Sequence, residues 1–130
     1  MDLLLDTHVL LWSLLEPQRL AAETATALED KENRRWLSPI TSWEVMVLAD
    51  KGRIDLQSRP EDWLAQVLLQ VPFTEAPLTH EVAILSRRVS LPHRDPADRF
   101  LAATAMVHEL ILVTADAHLL GLSGLNTMTA

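Results

Sequence analysis

The chain has 130 residues, of which 48% are hydrophobic and 22% are charged, a balance that excludes a disordered chain. It contains no cysteine and only 3 glycines, which excludes disulfide bonds, thiolate metal sites and a glycine-rich phosphate loop. The formal net charge of −7 argues against nucleic-acid binding through a broad basic surface, unless bound cations reverse the field at one site.

In chain order, the predicted elements alternate between strands and helices. Continuous apolar runs at residues 3–5 and 110–113 are typical of parallel strands that are covered on both faces. Short extra strands are predicted at residues 37–38 and 73–76, and helices at residues 8–15, 20–29, 63–71 and 79–89. The alternation predicts an α/β fold, a three-layer α/β/α sandwich around a mostly parallel sheet.

Two further helices begin with recognisable start signals. Thr41 and Glu44 have the spacing of a capping box, which predicts a helix that begins at Thr41. Asp95, Pro96 and Asp98 have the pattern of an N-cap, a proline at the first helical position and an acid in the first turn.

Four acids fall where an α/β sheet binds ligands. Asp6 directly follows the first predicted strand and Asp116 lies just beyond the late one, and ligands bind outside the carboxyl ends of such strands. Glu44 and Asp98 lie in first turns of predicted helices, which begin at that same edge. We therefore expect the four carboxylates to share one cleft.

Clustered carboxylates repel one another, and a divalent cation relieves this repulsion. Mg²⁺ prefers oxygen ligands and keeps several waters, and such ions assist the hydrolysis of phosphodiesters. Each acid also has a purely structural interpretation. Glu44 would complete the capping box, Asp95 would cap a helix, Asp98 would favour a helix N-terminus, and Asp116 would form a turn or cap residues 117–120.

These motifs resemble the PIN-domain family, in particular the VapC toxins of type II toxin–antitoxin pairs. The resemblance runs through residues 3–8, 37–45, 51–54, 93–99 and 112–116, and the most specific piece is the sequence HRDPADR at 93–99. One departure is Ala97, which stands where this subgroup usually has Phe. The resemblance implies a PIN fold over residues 1–130 as a single domain.

The resemblance also implies a metal-dependent endoribonuclease that uses Mg²⁺ or Mn²⁺, is neutralised by a cognate antitoxin and forms a homodimer. It assigns the metal-site and catalytic roles to Asp6, Glu44, Asp98 and Asp116. Asp95 is an additional candidate acid. Thr7 and Thr114 match small polar positions beside the site, where they would orient a carboxylate or a water; a β-branched strand end is the alternative for Thr114.

Basic and aromatic side chains are candidates for contacts with RNA. Lys51, Arg94 and Arg99 could contact phosphates, and the alternative is that they are solvated or form weak surface pairs. Base stacking is open to the four tryptophans, Trp12, Trp36, Trp43 and Trp63, but their apolar contexts favour packing in the core or at an interface for most of them. Trp12 is a candidate for a dimer or antitoxin surface.

The sequence predicts a cytoplasmic protein without a membrane partner. Acids flank the apolar run at residues 3–5, where a signal peptide has a basic start, and no run approaches the roughly 20 apolar residues of a membrane helix. Two alternative functions are a non-catalytic PIN module that binds RNA or protein, and a phosphotransfer domain. A phosphotransfer domain would need another acid one or two residues after Asp6, where Thr7 and His8 stand.

Overall fold

A computed structural model gives the coordinates of this chain and describes residues 1–92 and 95–130. Within these residues, five strands alternate with seven α-helices and one 3₁₀ helix, Pro17–Arg19. The strands are β1 (Asp2–Leu5), β2 (Arg34–Leu37), β3 (Thr74–Glu75), β4 (Ile111–Thr114) and β5 (Thr127–Thr129). The helices are α1 (Thr7–Leu15), α2 (Ala22–Glu29), α3 (Pro39–Asp50), α4 (Pro60–Gln70), α5 (His80–Ser86), α6 (Pro96–His108) and α7 (Ala117–Leu120).

The strands form one sheet in the order β3-β2-β1-β4-β5, and every neighbouring pair is parallel. The predicted α/β sandwich with a mostly parallel sheet is thus confirmed, and the sheet is parallel throughout. β1 lies at the centre, and the chain builds the sheet outward from it, first through β2 and β3 and then through β4 and β5. The strand order therefore reverses at β1 and β4, where α/β sheets open a crevice.

Helices cover both faces of the sheet, which explains why β1 is apolar from Leu3 to Leu5. Successive side chains of a strand point to opposite faces. Leu3 and Leu5 pack into one core cluster, with side chains from α1 to α4, and Leu4 packs into the other, with side chains from α6 and α7. All three leucines are at most 1% exposed. No helix in residues 1–92 and 95–130 has the length and hydropathy to cross a membrane.

The predicted capping box at Thr41 is wrong. Helix α3 begins two residues earlier, at Pro39, because the Ser38 side chain caps it and accepts a hydrogen bond from Ile40 N at 3.1 Å. A proline is well suited to the first helical position that follows such a cap. Glu44 consequently lies in the second turn of the helix instead of the first. Ser38, predicted as part of a strand, is the cap itself.

The start of α6 follows the predicted pattern. The Asp95 carboxylate accepts a hydrogen bond from Ala97 N at 3.0 Å, Pro96 is the first helical residue and Asp98 lies in the first turn. Ala97, the departure from the subgroup pattern, is fully buried. The N-cap interpretation of Asp95 is confirmed.

Arg99, predicted as an RNA contact, has a structural role. Its guanidinium group donates hydrogen bonds to the carbonyl oxygens of Ser86 at 3.3 Å, Val89 at 3.0 Å and Leu91 at 3.2 Å. These carbonyls belong to the segment that leaves α5, so Arg99 ties that segment to α6. Because the guanidinium is committed to backbone carbonyls, we remove Arg99 from the candidate RNA contacts.

Replacing Arg99 with Met should lower the free energy of unfolding by about 2 kcal/mol, because hydrogen bonds from a charged group are lost and three carbonyls lose a donor. The matched control is Arg88→Met, which removes an exposed arginine from the same segment and should change stability by less than about 0.5 kcal/mol. Urea denaturation measures both. Equal stabilities for the two variants would contradict the structural role.

Candidate functional site

A pocket of about 280 Å³ lies at the carboxyl ends of β1 and β4, and it gathers the predicted acids. Its lining residues come from the ends of two strands and from three helices: Asp6, Thr7, His8, Trp12, Glu44, Asp95, Asp98, Ala115 and Asp116. The structure therefore brings Asp6, Glu44, Asp98 and Asp116 to one place, together with Asp95. We call this the acidic pocket.

Asp6 is held by hydrogen bonds to both of its carboxylate oxygens. It is 7% exposed, and Oδ1 accepts from Val9 N at 3.0 Å, which makes Asp6 the N-cap of α1. Oδ2 accepts a short hydrogen bond from the Thr114 hydroxyl at the end of β4. The orientation of the carboxylate is thus fixed from its own helix and from the neighbouring strand.

The Thr114 hydroxyl connects two acids. It donates to Asp6 and accepts from Asp116 N at 3.1 Å, while being fully buried itself. The Asp116 carboxylate in turn accepts from His118 N at 2.8 Å and caps α7. The predicted cap at residues 117–120 is confirmed, and the same carboxyl group lines the pocket.

The remaining acids come from α3 and α6. Glu44, from the second turn of α3, and Asp98, from the first turn of α6, are both half-buried. A helix N-terminus carries partial positive charge, which favours an acid in the first turn. Its effect is too weak to offset several neighbouring anions.

Three carboxyl groups in the pocket have raised pKa values. Burial and then repulsion by Asp95, Asp116, Glu44 and Asp6 raise the pKa of Asp98 from 3.8 to about 7. Burial is also the main cause that raises the pKa of Glu44, with repulsion by Asp95 and Asp6 adding to it. Burial raises the pKa of Asp6 as well, although the hydrogen bonds from Thr114 and Val9 act in the opposite direction.

These observations fit a divalent cation. Ionised carboxylates in one pocket are stabilised by a positive charge among them. Within residues 1–92 and 95–130, no three His, Asp or Glu side chains are grouped as direct ligands of one ion. Mg²⁺ usually binds proteins through one or two carboxylates and retains several waters, so a magnesium site does not require three direct protein ligands.

Thr7 offers a second polar feature in the pocket. It is 1% exposed, and in the part of the chain that the structure describes, only Thr7 and Thr41 have a buried side-chain oxygen without a hydrogen bond of normal geometry. The Thr7 hydroxyl is still near enough to Glu44 to lower the pKa of that carboxyl. Buried polar atoms normally have a partner, so Thr7 Oγ1 is suited to a water in this pocket.

The candidate RNA contacts are less clearly placed. Lys51 is exposed at the C-terminal end of α3, roughly 10 Å along the helix from Glu44. Arg94 lies outside the described residues. Sequence reasoning did not assign His8 and Trp12 to the site, although their i, i+4 spacing on the helix after Asp6 puts them on one face. Their rings are 6.2 Å apart at the wall of the pocket.

The family model for the PIN domain matches residues 3–124 of this chain. The chain belongs to the PIN-domain family. It is also 37% identical over 119 residues to the Mycobacterium tuberculosis protein named Ribonuclease VapC22, a match that covers 89% of this chain and 88% of that protein. The resemblance to VapC proteins noted in the sequence is therefore confirmed.

Solved structures show the same PIN fold. The structure of VapBC2 from Rickettsia felis bound to a promoter DNA fragment matches with a TM-score of 0.74 at 14% identity and covers 99% of this chain and 98% of that one. A toxin–antitoxin complex from Klebsiella pneumoniae matches with a TM-score of 0.62 at 26% identity, and the match covers 97% of this chain and 95% of that one.

The raised pKa of Asp98 predicts how the stability of this PIN domain depends on pH without metal. Because the folded-state pKa is near 7 and the unfolded-state value is near 3.8, the folded state binds more protons between these values. Stability measured by urea denaturation in EDTA should therefore fall as pH rises from about 4 to about 7. At pH 8, Asp98→Asn should be more stable than the parent by about 1–2 kcal/mol, a figure reduced for solvent screening.

The matched control is Asp62→Asn. Asp62 occupies the same third position of a helix that begins with proline, but it is exposed on α4 and away from the pocket. It should lose only the small favourable interaction with the helix N-terminus, about 0.3–1 kcal/mol. If Asp98→Asn were destabilised at pH 8 as Asp62→Asn is, the carboxylate would not be repelled in the pocket.

Replacing Thr114 with Val removes the hydroxyl that joins Asp6 to Asp116 while keeping the side-chain shape. We expect a loss of about 2 kcal/mol in EDTA, since a buried carboxylate oxygen loses its donor, and near-parent stability for Thr114→Ser. Thr104→Val is the control, because that fully buried hydroxyl donates to Phe100 O within a helix, where the carbonyl has another donor. Equal losses at positions 104 and 114 would argue against the link.

Proposed function

We propose that this chain is a metal-dependent endoribonuclease and the toxin component of a type II toxin–antitoxin pair. It hydrolyses RNA phosphodiester bonds with Mg²⁺ or Mn²⁺ held by Asp6, Glu44, Asp98 and Asp116. The observation that supports this most is the acidic pocket itself, where burial and then repulsion by the other acids raise the pKa of Asp98 to about 7. The relative named Ribonuclease VapC22 supports the same activity.

The residues of the pocket have distinct tasks in this proposal. A bound divalent ion supplies positive charge at the phosphodiester and makes water more acidic. Asp6 presents a carboxylate of fixed orientation, because Val9 N and the Thr114 hydroxyl hold its two oxygens. Thr114 and Thr7 act as positioning residues. Thr114 orients the Asp6 carboxylate, and Thr7 orients a water in the pocket.

Glu44 and Asp98 would complete the ligand set from two helices. Their pKa values are raised among the neighbouring acids, so both carboxyls bind protons more readily than usual. Both carboxyls would have to lose those protons to hold a divalent cation, so metal affinity should weaken as the pH falls below about 7. Asp95, whose Oδ1 is engaged as the N-cap, contributes negative charge from the rim in place of a direct ligand.

The partner proteins follow from the relatives. The structural neighbours include VapBC complexes and a toxin–antitoxin complex, and we propose that this chain likewise binds a cognate antitoxin. A homodimer, a cytoplasmic location and a single domain over residues 1–130 are proposed from the family resemblance. Lys51 and Arg94 remain proposed RNA contacts.

The decisive experiment is RNA cleavage by purified protein with Mg²⁺ or Mn²⁺. Asp6→Asn and Asp98→Asn should each lose at least about 100-fold in rate, because each removes a carboxylate from the metal site, and EDTA should abolish cleavage by the parent. Asp62→Asn, the matched acid on α4, should cleave at the parent rate.

Unchanged cleavage in both pocket variants would reject this site. If the parent binds RNA but cleaves none with either metal, the chain is instead a non-catalytic PIN module. Circular dichroism of each variant establishes that a lost rate is not a lost fold.

A further inference from the structure

A second concavity adjoins the acidic pocket. It has a volume of about 680 Å³ and lies between α1, the 3₁₀ helix Pro17–Arg19 and the segment that follows α3, residues 53–57. His8 and Trp12 line this concavity and the acidic pocket alike, so the two spaces meet at these two side chains. We call it the Trp12 groove.

One wall of the Trp12 groove carries three planar groups, the Trp12 ring, the His8 ring and the Arg19 guanidinium group. The Arg19 guanidinium carbon lies 4.5 Å from the centre of the Trp12 ring, and the His8 ring lies 6.2 Å from the same ring. An ion pair with Glu16, at 3.1 Å, holds the guanidinium in place. Aromatic rings and guanidinium planes are the surfaces on which unpaired bases stack.

The opposite wall carries an available positive charge. Arg53 is exposed on the groove and forms no ion pair with any residue in the ranges 1–92 and 95–130. The groove contains two arginines and two acids, Glu16 and Asp55, whereas the neighbouring pocket contains five carboxylates. Among the residues that the structure describes, Arg19 and Arg53 are the arginines that an anionic strand meets when it leaves the pocket through this groove.

From this arrangement we infer that the Trp12 groove binds single-stranded RNA next to the scissile phosphate. A base stacks on the Trp12–Arg19 wall, and Arg53 contacts a backbone phosphate. The inference rests on the proposed nuclease function, since it places the scissile phosphate in the acidic pocket. Its chemical basis is general, because every base has a face that can stack, and it adds no sequence specificity by itself.

Apolar side chains also line the groove, among them Leu11, Leu15 and Ile54. These would suit a protein segment equally well. The stacked guanidinium, the unpaired Arg53 and the adjoining site for phosphodiesters favour RNA. Binding of a protein segment alone is one outcome of the test below.

The test measures binding of a fluorescein-labelled adenosine 12-mer RNA by anisotropy, with Mg²⁺ present and Asp98→Asn as the parent so that the RNA stays intact. Adding Trp12→Leu should weaken binding at least about fivefold, and Trp12→Phe should weaken it less, because stacking on the ring is reduced stepwise. Trp36→Leu is the control. Trp36 also has an arginine, Arg34, over its ring at 5.8 Å, but Trp36 Nε1 donates a hydrogen bond to Asp2 Oδ1 at the start of β1.

The salt dependence of the same binding tests Arg53. Arg53→Gln should reduce the slope of log affinity against log salt by about one, whereas Arg53→Lys should retain it. Arg59→Gln is the control, because Arg59 is exposed and paired with Glu61 at 3.3 Å on α4. Its slope should equal that of the parent.

Two results would overturn the inference: equal affinity for Trp12→Leu and Trp36→Leu, or no binding of the RNA by the parent, which would leave a protein segment as the occupant of the groove. Neither of them depends on catalysis. Conversely, Trp12-dependent binding in a protein whose wild-type form cleaves no RNA would support the groove while rejecting the nuclease function.

Discussion

Repulsion among carboxylates is the constraint on which this structure depends. Five acids line one pocket at the carboxyl ends of β1 and β4, where burial and then repulsion by the neighbouring acids raise the pKa of Asp98 to about 7. Such a cluster opposes folding, because separated carboxylates in the unfolded chain do not repel one another in this way. The fold holds the charges together because three of these acids also perform structural tasks. Asp6, Asp95 and Asp116 each cap the helix that follows them.

The structural and functional interpretations of these acids therefore do not exclude each other. A capping carboxylate uses one oxygen on backbone N–H groups and leaves the other directed elsewhere. In Asp6 the second oxygen accepts a hydrogen bond from the Thr114 hydroxyl, and that hydroxyl accepts one from Asp116 N. One buried hydroxyl between β1 and β4 thus sets the relative position of two acids that are 110 residues apart in the chain. Parallel pairing of these two strands provides this neighbourhood.

Local patterns in the sequence predicted what depends on neighbours along the chain. The apolar runs of β1 and β4 and the start of α6 at Asp95 and Pro96 were predictable, because burial on two faces and helix capping leave clear local signals. The spacing of Thr41 and Glu44 gave a wrong helix start, because the same spacing also occurs inside a helix. The Ser38 cap followed by Pro39 is the stronger start signal. The strand β5 has polar residues at an edge of the sheet and left no apolar run.

Tertiary contacts that no local pattern encodes account for the rest. Arg99 looks like any basic residue near an acidic motif, and only the path of the segment after α5 shows that its donors serve three carbonyls. Trp12 has the spacing of a packed helix face, and its position on two concavities follows from where α3 ends. Both cases involve side chains whose partners are remote or come from loops, which periodicity does not describe.

The net charge of −7 seemed to oppose a nucleic-acid substrate, and the structure resolves this conflict locally. Negative charge is concentrated in the acidic pocket, the proposed cation site, while Arg19 and Arg53 lie on the adjoining Trp12 groove, where two arginines face two acids. Exposed charges act over about one Debye length, roughly 8–10 Å at physiological salt, so the immediate surroundings outweigh the total. Under the proposed function, the anionic strand is held by a metal ion at the reacting phosphate and by stacking beside it, two interactions that require no broad basic surface.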